Sequence, residues 1–202
     1  MKKFLTLFFT QAIMVFICVN ATSAACIQAE IVNIEKNLNN FRNLIVNFLE
    51  ESLTNHIIKS GKIYIRRPNV MRISYEKPEN VSVFIDKNII TYYDFQLDEA
   101  TKIKHDPKYL SFLAKEVISF KNDFDSFKCE RNGEEINVQV SIKNDDFEEI
   151  NLQLYFSQYI LNRIMIKNNQ GQFIIKLSDM RFDTTIQDSE IKFRDKNFFN
   201  IN

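Results

Sequence analysis

Two periodicities alternate along this chain. Between residues 27 and 38 the apolar side chains Ile27, Ile31, Ile34 and Leu38 recur at helical spacing, with Glu30, Asn33, Lys36 and Asn37 on the other side. That spacing predicts one amphipathic helix whose apolar stripe must lie against another element. From Phe41 onward the period falls to two. Leu44, Val46 and Phe48 share a face of a first strand, and Ile63 and Ile65 share a face of a second that ends at Arg67-Pro68. Met71, Ile73 and Tyr75 face one way in a third strand, against Arg72, Ser74 and Glu76. Val81, Val83 and Ile85 do so in a fourth, and Asp86-Lys87-Asn88 is the turn into a fifth, Ile89 to Asp94.

The strands then stop. Asp106-Pro107 reads as a cap followed by proline at the first helical position, and Leu110, Leu113 and Val117 follow at helical spacing. This predicts a second amphipathic helix over residues 107–117. Alternation returns in Ile136, Val138, Val140 and Ile142, and again in Ile150, Leu152, Leu154 and Phe156. A strand from Ile160 to Lys167, an Asn168-Asn169-Gln170-Gly171 turn and a strand from Phe173 continue the meander. Ile191 and Phe193 suggest a short last strand. No internal repeat or linker interrupts the pattern, so it reads as one domain of the α+β class, mainly antiparallel β. Two amphipathic helices interrupt about ten strands, and strands with one apolar face curve into a barrel or sandwich that the helices cover.

The same counting places one charge inside. Stepping by two from Ile63 and Ile65 puts Arg67 on the inward face of the second strand. A guanidinium among apolar groups is costly unless its donors are bonded. An inward Arg67 at a strand end therefore points to a latch, with backbone carbonyls of a helix as its partner.

The N-terminus bears on the compartment. Lys2 and Lys3 precede a nearly unbroken apolar run from Phe4 to Val19, and Ala21-Thr22-Ser23-Ala24-Ala25 follows. A basic start, an apolar core and a small-residue exit are the parts of a secretory signal peptide. The run is shorter than the roughly 20 residues of a membrane span, and Thr6, Thr10 and Gln11 interrupt it. Cleavage is expected after Ala24 or Ala25, leaving residues 25–202 as the mature domain in the periplasm; a retained anchor is the alternative. The chain carries 26 basic and 26 acidic side chains, and loss of Lys2 and Lys3 leaves it slightly acidic. That balance offers no attraction for nucleic acid or an anionic membrane. Cys18 leaves with the signal. Cys26 and Cys129 remain in an oxidising compartment, where a disulfide can form. Cys26 also sits where bacterial lipoproteins are acylated, although Ser23 stands where an aliphatic residue is normal.

Candidate chemistry is sparse. His56 and His105 each sit in a polar, turn-like stretch, and no cluster has metal-ligand spacing. No Gly-rich phosphate loop or nucleophile elbow occurs. Asp123, Asp125, Asp145, Asp146, Glu148 and Glu149 read as solvated loop charges. A hydrolase built on Cys129 or an acidic pair is the enzymatic alternative. Otherwise neither catalysis, a metal nor a cofactor is expected, and the unusual feature is the apolar inner face.

An ordered set of motifs spans residues 48–101. It runs from Phe48-Leu49-Glu50 through Gly61-Lys62-Ile63-Tyr64-Ile65-Arg66-Arg67-Pro68-Asn69-Val70-Met71-Arg72-Ile73-Ser74-Tyr75 to Lys77-Pro78. Tyr92-Tyr93-Asp94 and Leu97-Asp98-Glu99-Ala100-Thr101 follow. Here the chain resembles the LolA family of periplasmic outer-membrane lipoprotein carriers; the C-terminal half matches in strand pattern only. The resemblance implies an incomplete, half-open barrel of about ten to eleven antiparallel strands with a lid of amphipathic helices over a hydrophobic cavity. It implies a monomeric carrier of acylated lipoproteins, loaded by an inner-membrane ABC lipoprotein-releasing transporter and unloaded at an outer-membrane receptor where one exists. The alternative is a membrane-anchored receptor or other lipid-binding half-barrel acylated at Cys26. Val46, Phe48, Ile63, Ile65, Met71, Ile73, Val81 and Val83 are the expected acyl-chain lining. Ile31, Ile34, Leu110 and Leu113 are the expected lid, and Arg67 matches the family arginine that bonds the lid and keeps the empty cavity closed. The chain departs from the family at Met71, where relatives carry an aromatic residue, at Ile73 for a frequent tryptophan, and at Glu50 for the usual glutamine.

Overall fold

The computed structural model describes residues 23–104, 111–143, 149–169 and 171–194. Its strands form one antiparallel sheet, bent around the main apolar core, with α1 and the segment over 111–124 laid against that inner face. In chain order they are β1 (Ala24–Ala25), α1 (Gln28–Asn39), β2 (Asn43–Ser52), β3 (Ile58–Arg66), β4 (Val70–Tyr75), β5 (Val81–Asp86), β6 (Ile89–Asp94) and β7 (Glu99–Lys104). A 3₁₀ turn (Phe112–Ala114) and a short helix α2 (Phe120–Asp123) follow. The chain then continues through β8 (Ser126–Asn132), β9 (Glu135–Lys143), β10 (Glu149–Ser157), β11 (Ile160–Asn168), β12 (Gly171–Phe182) and α3 (Asp188–Ile191). The twelve described strands lie in the order β1-β8-β9-β10-β11-β12-β2-β3-β4-β5-β6-β7. The N- and C-terminal meanders thus meet where β12 pairs β2. The two outermost strands, β1 and β7, do not meet, so the barrel is open.

Alternation built this sheet as expected. Leu44, Val46 and Phe48 of β2 stand beside Ile65, Ile63 and Gly61 of β3, which in turn oppose Met71, Ile73 and Tyr75 of β4. Residues directly opposite in an antiparallel pair share a face, so these rows make one continuous apolar wall. Gly61 is needed there. A Cβ at this position would stand 2.0 Å from the Ser74 carbonyl and 2.8 Å from the Phe48 ring, so only glycine lets that ring lie down on the sheet. Phe48 then meets Tyr75 edge-on, with ring centroids 5.2 Å apart.

Four expectations need correction. β7 was not foreseen, because all six of its residues are exposed and it has no apolar alternation to read. β8 carries only one buried residue, Cys129, and was missed for the same reason. The short last strand at Ile191 and Phe193 is instead helix α3 at Ile191. Its Glu190 carboxylate accepts a hydrogen bond from the Gln187 amide, which closes the first turn. Ile186 and Ile191 pack with Ile45 on the outer face of the sheet, so Ile45 is buried opposite the main core. Arg66 clamps this segment through Asp188 at 2.6 Å.

The fourth correction concerns the end of the expected helix over 107–117. Asp106, Pro107 and Leu110 lie outside the described residues, as does His105. Of its described residues Ser111 is helical, Phe112–Ala114 form one 3₁₀ turn with Lys115 N–H donating to Phe112 O at 3.2 Å, and 115–117 are not helical. Three consecutive residues are buried there, and Val117, which the helical spacing puts on the apolar stripe, is 66% exposed. The turn ends because its carbonyls are taken by the loop that follows β3.

Glu30 breaks the helix pattern of α1 in the opposite sense. It is buried although the periodicity puts it on the polar side, while Ile27 is 66% exposed. One Glu30 oxygen accepts from the Ile27 amide at the helix start and the other from Arg131 of β8. Cys26, just before α1, forms a disulfide with Cys129 of β8, with Cα atoms 5.4 Å apart. The helix is therefore stapled to the sheet by a covalent bond and an ion pair, beyond the contacts of Ile34 and Leu38 with the core.

Candidate functional site

The space under the helical elements is hollow and divided. One cavity of about 300 Å³ opens between α1 and the ends of β11 and β12. It is lined by Leu38, Phe41, Leu44, Val46, Tyr159, Leu177, Met180 and Phe182 among others. A second, of about 320 Å³, lies over β2, β3, β4, β11 and β12, and Phe48, Met71, Ile73, Phe112, Ile164, Phe173 and Ile175 line it. Ile63 and Leu113 border both. They form the partition, Ile63 from the sheet and Leu113 from the 3₁₀ turn above it. Both cavities have mostly apolar walls, and each has a small polar margin: Asn37, Asn40 and Asp183 in the first, Glu50 and Asn168 in the second.

Arg67 holds the partition in place. The chain leaves β3 at Arg66, and Arg67 turns its side chain under the 3₁₀ turn, 4% exposed. Its Nε and Nη2 donate to the Leu113 carbonyl at 3.1 and 3.0 Å, and Nη1 donates to the Phe41 carbonyl at 3.5 Å. The guanidinium carbon lies 4.0 Å from the centre of the Phe41 ring, a cation–π contact that stands in for lost water. Two residues on, the Asn69 amide donates to the Ala114 carbonyl at 2.7 Å. The last carbonyls of the turn are thus satisfied by one loop of the sheet, which is why no further helical turn is needed. Burial pushes the Arg67 guanidinium down to about 10. It therefore remains charged at neutral pH, a buried cation with no carboxylate hydrogen-bonded to it among the described residues.

A second clasp joins the segment to α1. Asn39 donates from Nδ2 to the Ile118 carbonyl and accepts at Oδ1 from the Ile118 amide, both at 2.8 Å. One side chain thus pairs with a backbone as a neighbouring strand would. Glu35 accepts from the Phe120 amide at 2.8 Å. Below, Phe112 meets Phe124 edge-on at 5.7 Å, and Phe124 stacks with Phe120 at 5.9 Å between ring centroids. Over the described residues the lid is therefore α1 plus a strap over 111–124, and the expected second helix does not run on to Val117.

The anticipated lining divides accordingly. Val46 borders the first cavity, Phe48, Met71 and Ile73 the second, and Ile63 both. Ile65, Val81 and Val83 line neither. Ile65 is packed solid between Leu44 and Met71. Val81 and Val83 lie on β5 opposite Asp94 and Tyr92, towards the open edge of the sheet. Of the anticipated lid, Ile34 is fully buried, Ile31 packs against the core from the helix side, and Leu113 is the partition itself. Leu38 and Phe41, which do line a cavity, were missed, as were the walls supplied by β11 and β12. Alternation at Ile164, Ile166, Phe173, Ile175 and Leu177 carried that signal. Asn39 and Glu35 left no mark in the sequence, since polar residues on a helix read as its solvated face.

A family model described as outer membrane lipoprotein carrier protein LolA matches residues 47–194. The chain belongs to the LolA family. Among solved structures it is similar to an uncharacterized conserved protein from Thermus thermophilus, at 12% identity and a TM-score of 0.51. That match covers 84% of this chain and 94% of the other. It is also similar to a LolA superfamily protein from Nitrosomonas europaea, at 9% identity and a TM-score of 0.49, covering 84% of this chain and 99% of that one. A curated relative, an uncharacterized protein of Rickettsia prowazekii (strain Madrid E), is 25% identical over 87 residues. The match takes in 43% of this chain and 40% of the relative's length. The LolA match begins inside β2, so α1 and Cys26, one end of the disulfide that staples it, stand outside the matched stretch.

The hydrolase alternative loses its nucleophile, because the Cys129 sulfur is bonded to Cys26. No helix among the described residues is long and apolar enough to cross a membrane.

Proposed function

We propose that this protein is a periplasmic carrier that shelters the acyl chains of lipoproteins released from the inner membrane and delivers them to the outer membrane. The observation that carries the reading is the divided apolar cavity closed by Arg67 on the Leu113 carbonyl. Each buried CH₂ is worth roughly 0.8 kcal/mol, so acyl chains in water cost tens of kcal/mol in total, and a shuttle must cover them. It must also release them. In the closed state Leu113 narrows the space and the guanidinium is satisfied. Entry of a chain displaces Leu113 and breaks charge-assisted bonds, and their re-formation on release favours unloading. The latch thereby weakens retention of cargo, which a carrier needs and a store does not.

Cleavage after Ala24 or Ala25 would remove half or all of the two-residue β1 and leave the new N-terminus next to or at Cys26. The disulfide fits an oxidising compartment. It also weighs against acylation at Cys26, since the same sulfur cannot carry a diacylglyceryl thioether. The partners are then acylated lipoproteins, an inner-membrane ABC lipoprotein-releasing transporter and, where present, an outer-membrane receptor; no cofactor or catalysis is involved. Purification from the periplasm of the native host, with mass spectrometry of what co-purifies, is the test. Acylated peptides at stoichiometric ratio support the carrier, and an empty protein that also fails to bind diacyl lipopeptide in solution overturns it.

A further inference from the structure

The second cavity is not uniformly apolar. Along the inner face of β2 the row Leu44, Val46, Phe48 continues to Glu50, which lines that cavity and is half-buried. A carboxylate in such a wall must be satisfied or be waiting for a partner. Tyr75 Oη donates to Glu50 Oε2 at 2.9 Å. A carboxylate offers about four acceptor positions, so one hydroxyl leaves most of them open. The neighbouring cation is Lys59, directly across the β2–β3 pair. Its Nζ lies 3.9 Å from Glu79 and 5.8 Å from the centre of the Tyr75 ring, so its ion pair is with the rim and not with Glu50. The result is an apolar space, walled by Phe48, Met71, Ile73 and Ile164, with a carboxylate acceptor among its walls.

We infer that Glu50 is a specificity-determining head-group site: it selects diacyl amphiphiles that carry a primary ammonium beside their chains. In an acylated protein cargo that group is the α-amino group of the lipid-bearing cysteine before any acyl chain is added to its nitrogen. The inference rests on the carrier reading above. The chains occupy the apolar walls, and the ammonium donates to the free acceptor positions of Glu50 while Tyr75 holds the carboxylate in place. Anionic heads meet like charge, and an N-acylated cysteine offers no cation. A glutamine here would accept hydrogen bonds without the charge and would not distinguish these heads to the same degree.

The test uses the mature protein with its disulfide intact and two probes, a diacylglyceryl-cysteinyl peptide with a free α-amino group and the same peptide N-acetylated. Binding of each is measured by calorimetry. The wild type is expected to prefer the free amine by about ten- to a hundred-fold, the range of a charge-assisted hydrogen bond away from bulk water. Glu50→Gln should lose that preference while binding the N-acetylated peptide as the wild type does, which also shows that the variant is folded and its cavity intact. Glu50→Asp should keep part of the preference. Competition by phosphatidylethanolamine as well as by the free-amine peptide assigns the site to lipid head groups, and competition by the peptide alone assigns it to lipoprotein; both retain the ammonium. Equal binding of the two peptides by the wild type, or a preference that survives Glu50→Gln, overturns the inference while leaving the carrier standing. Failure to bind either peptide overturns the carrier reading itself.

Discussion

The guanidinium of Arg67 gives two hydrogen bonds, from Nε and Nη2, to the one carbonyl oxygen of Leu113. Leu113 is the residue whose side chain separates the two cavities. A residue of the β3–β4 turn thereby controls the partition through the backbone of Leu113. Replacing Arg67 by leucine removes these bonds and leaves the Leu113 carbonyl buried, so the closed state should weaken by about 1–3 kcal/mol. The expected phenotype is asymmetric. Arg67→Leu takes up diacyl lipopeptide at least as tightly as the wild type but fails to pass it on, because closure no longer opposes retention. Arg67→Lys should be intermediate, keeping the charge without the planar fork. A two-stage assay, loading from inner-membrane vesicles and then delivery to outer-membrane vesicles, checks this; equal delivery by Arg67→Leu and wild type would remove the latch.

Asn39 is predicted to govern the strap rather than the barrel. Asn39→Ala strips both partners from the Ile118 backbone and should cost about 1–3 kcal/mol, most of it local. Amide hydrogen exchange followed by mass spectrometry should show residues 111–124 opening faster while β9 and β10 keep their protection. Uniform acceleration through the strands would mean that the strap is part of the global core.

Ile63 borders both cavities, and extra atoms there have free volume to enter. Ile63→Phe should therefore destabilise the fold by no more than the usual about 1–3 kcal/mol of overpacking, and by less if the cavities absorb the ring. It should reduce the stoichiometry or affinity of a hydrophobic fluorescent probe. Unchanged probe binding in a folded variant would place the ligand elsewhere.

The Cys26–Cys129 bond closes a loop of 103 residues in sequence separation. Chain-entropy arguments put the stabilisation of so long a loop at about 4–5 kcal/mol, and measured values run lower. Reduction should lower the melting temperature and raise exchange first in α1. Intact mass of the mature protein should show two cysteines joined and no lipid on Cys26. A diacylglyceryl adduct at Cys26 would move the protein to the anchored reading.

Legibility followed burial. Wherever one face of a strand is buried and the other solvated, as in β2 to β5 and β9 to β11, a period of two determined the strand from the sequence by itself, and the same counting turned Arg67 inward. An ordered run of short motifs over residues 48–101 was enough to point to the family. What tertiary structure alone decided are the features whose energy lies in pairings distant along the chain. β7 and β8 exist because a neighbour offers a ladder, though their own side chains are mostly exposed. The strap over 111–124 takes an irregular path because Arg67, Asn69, Asn39 and Glu35 satisfy its backbone in place of helical bonds. The hollow itself is a property of no residue. It lies between α1, the strap and the sheet, which a disulfide, an ion pair and hydrogen bonds join, where their apolar faces pack together at Ile34 and Leu38 but leave space around Ile63 and Leu113.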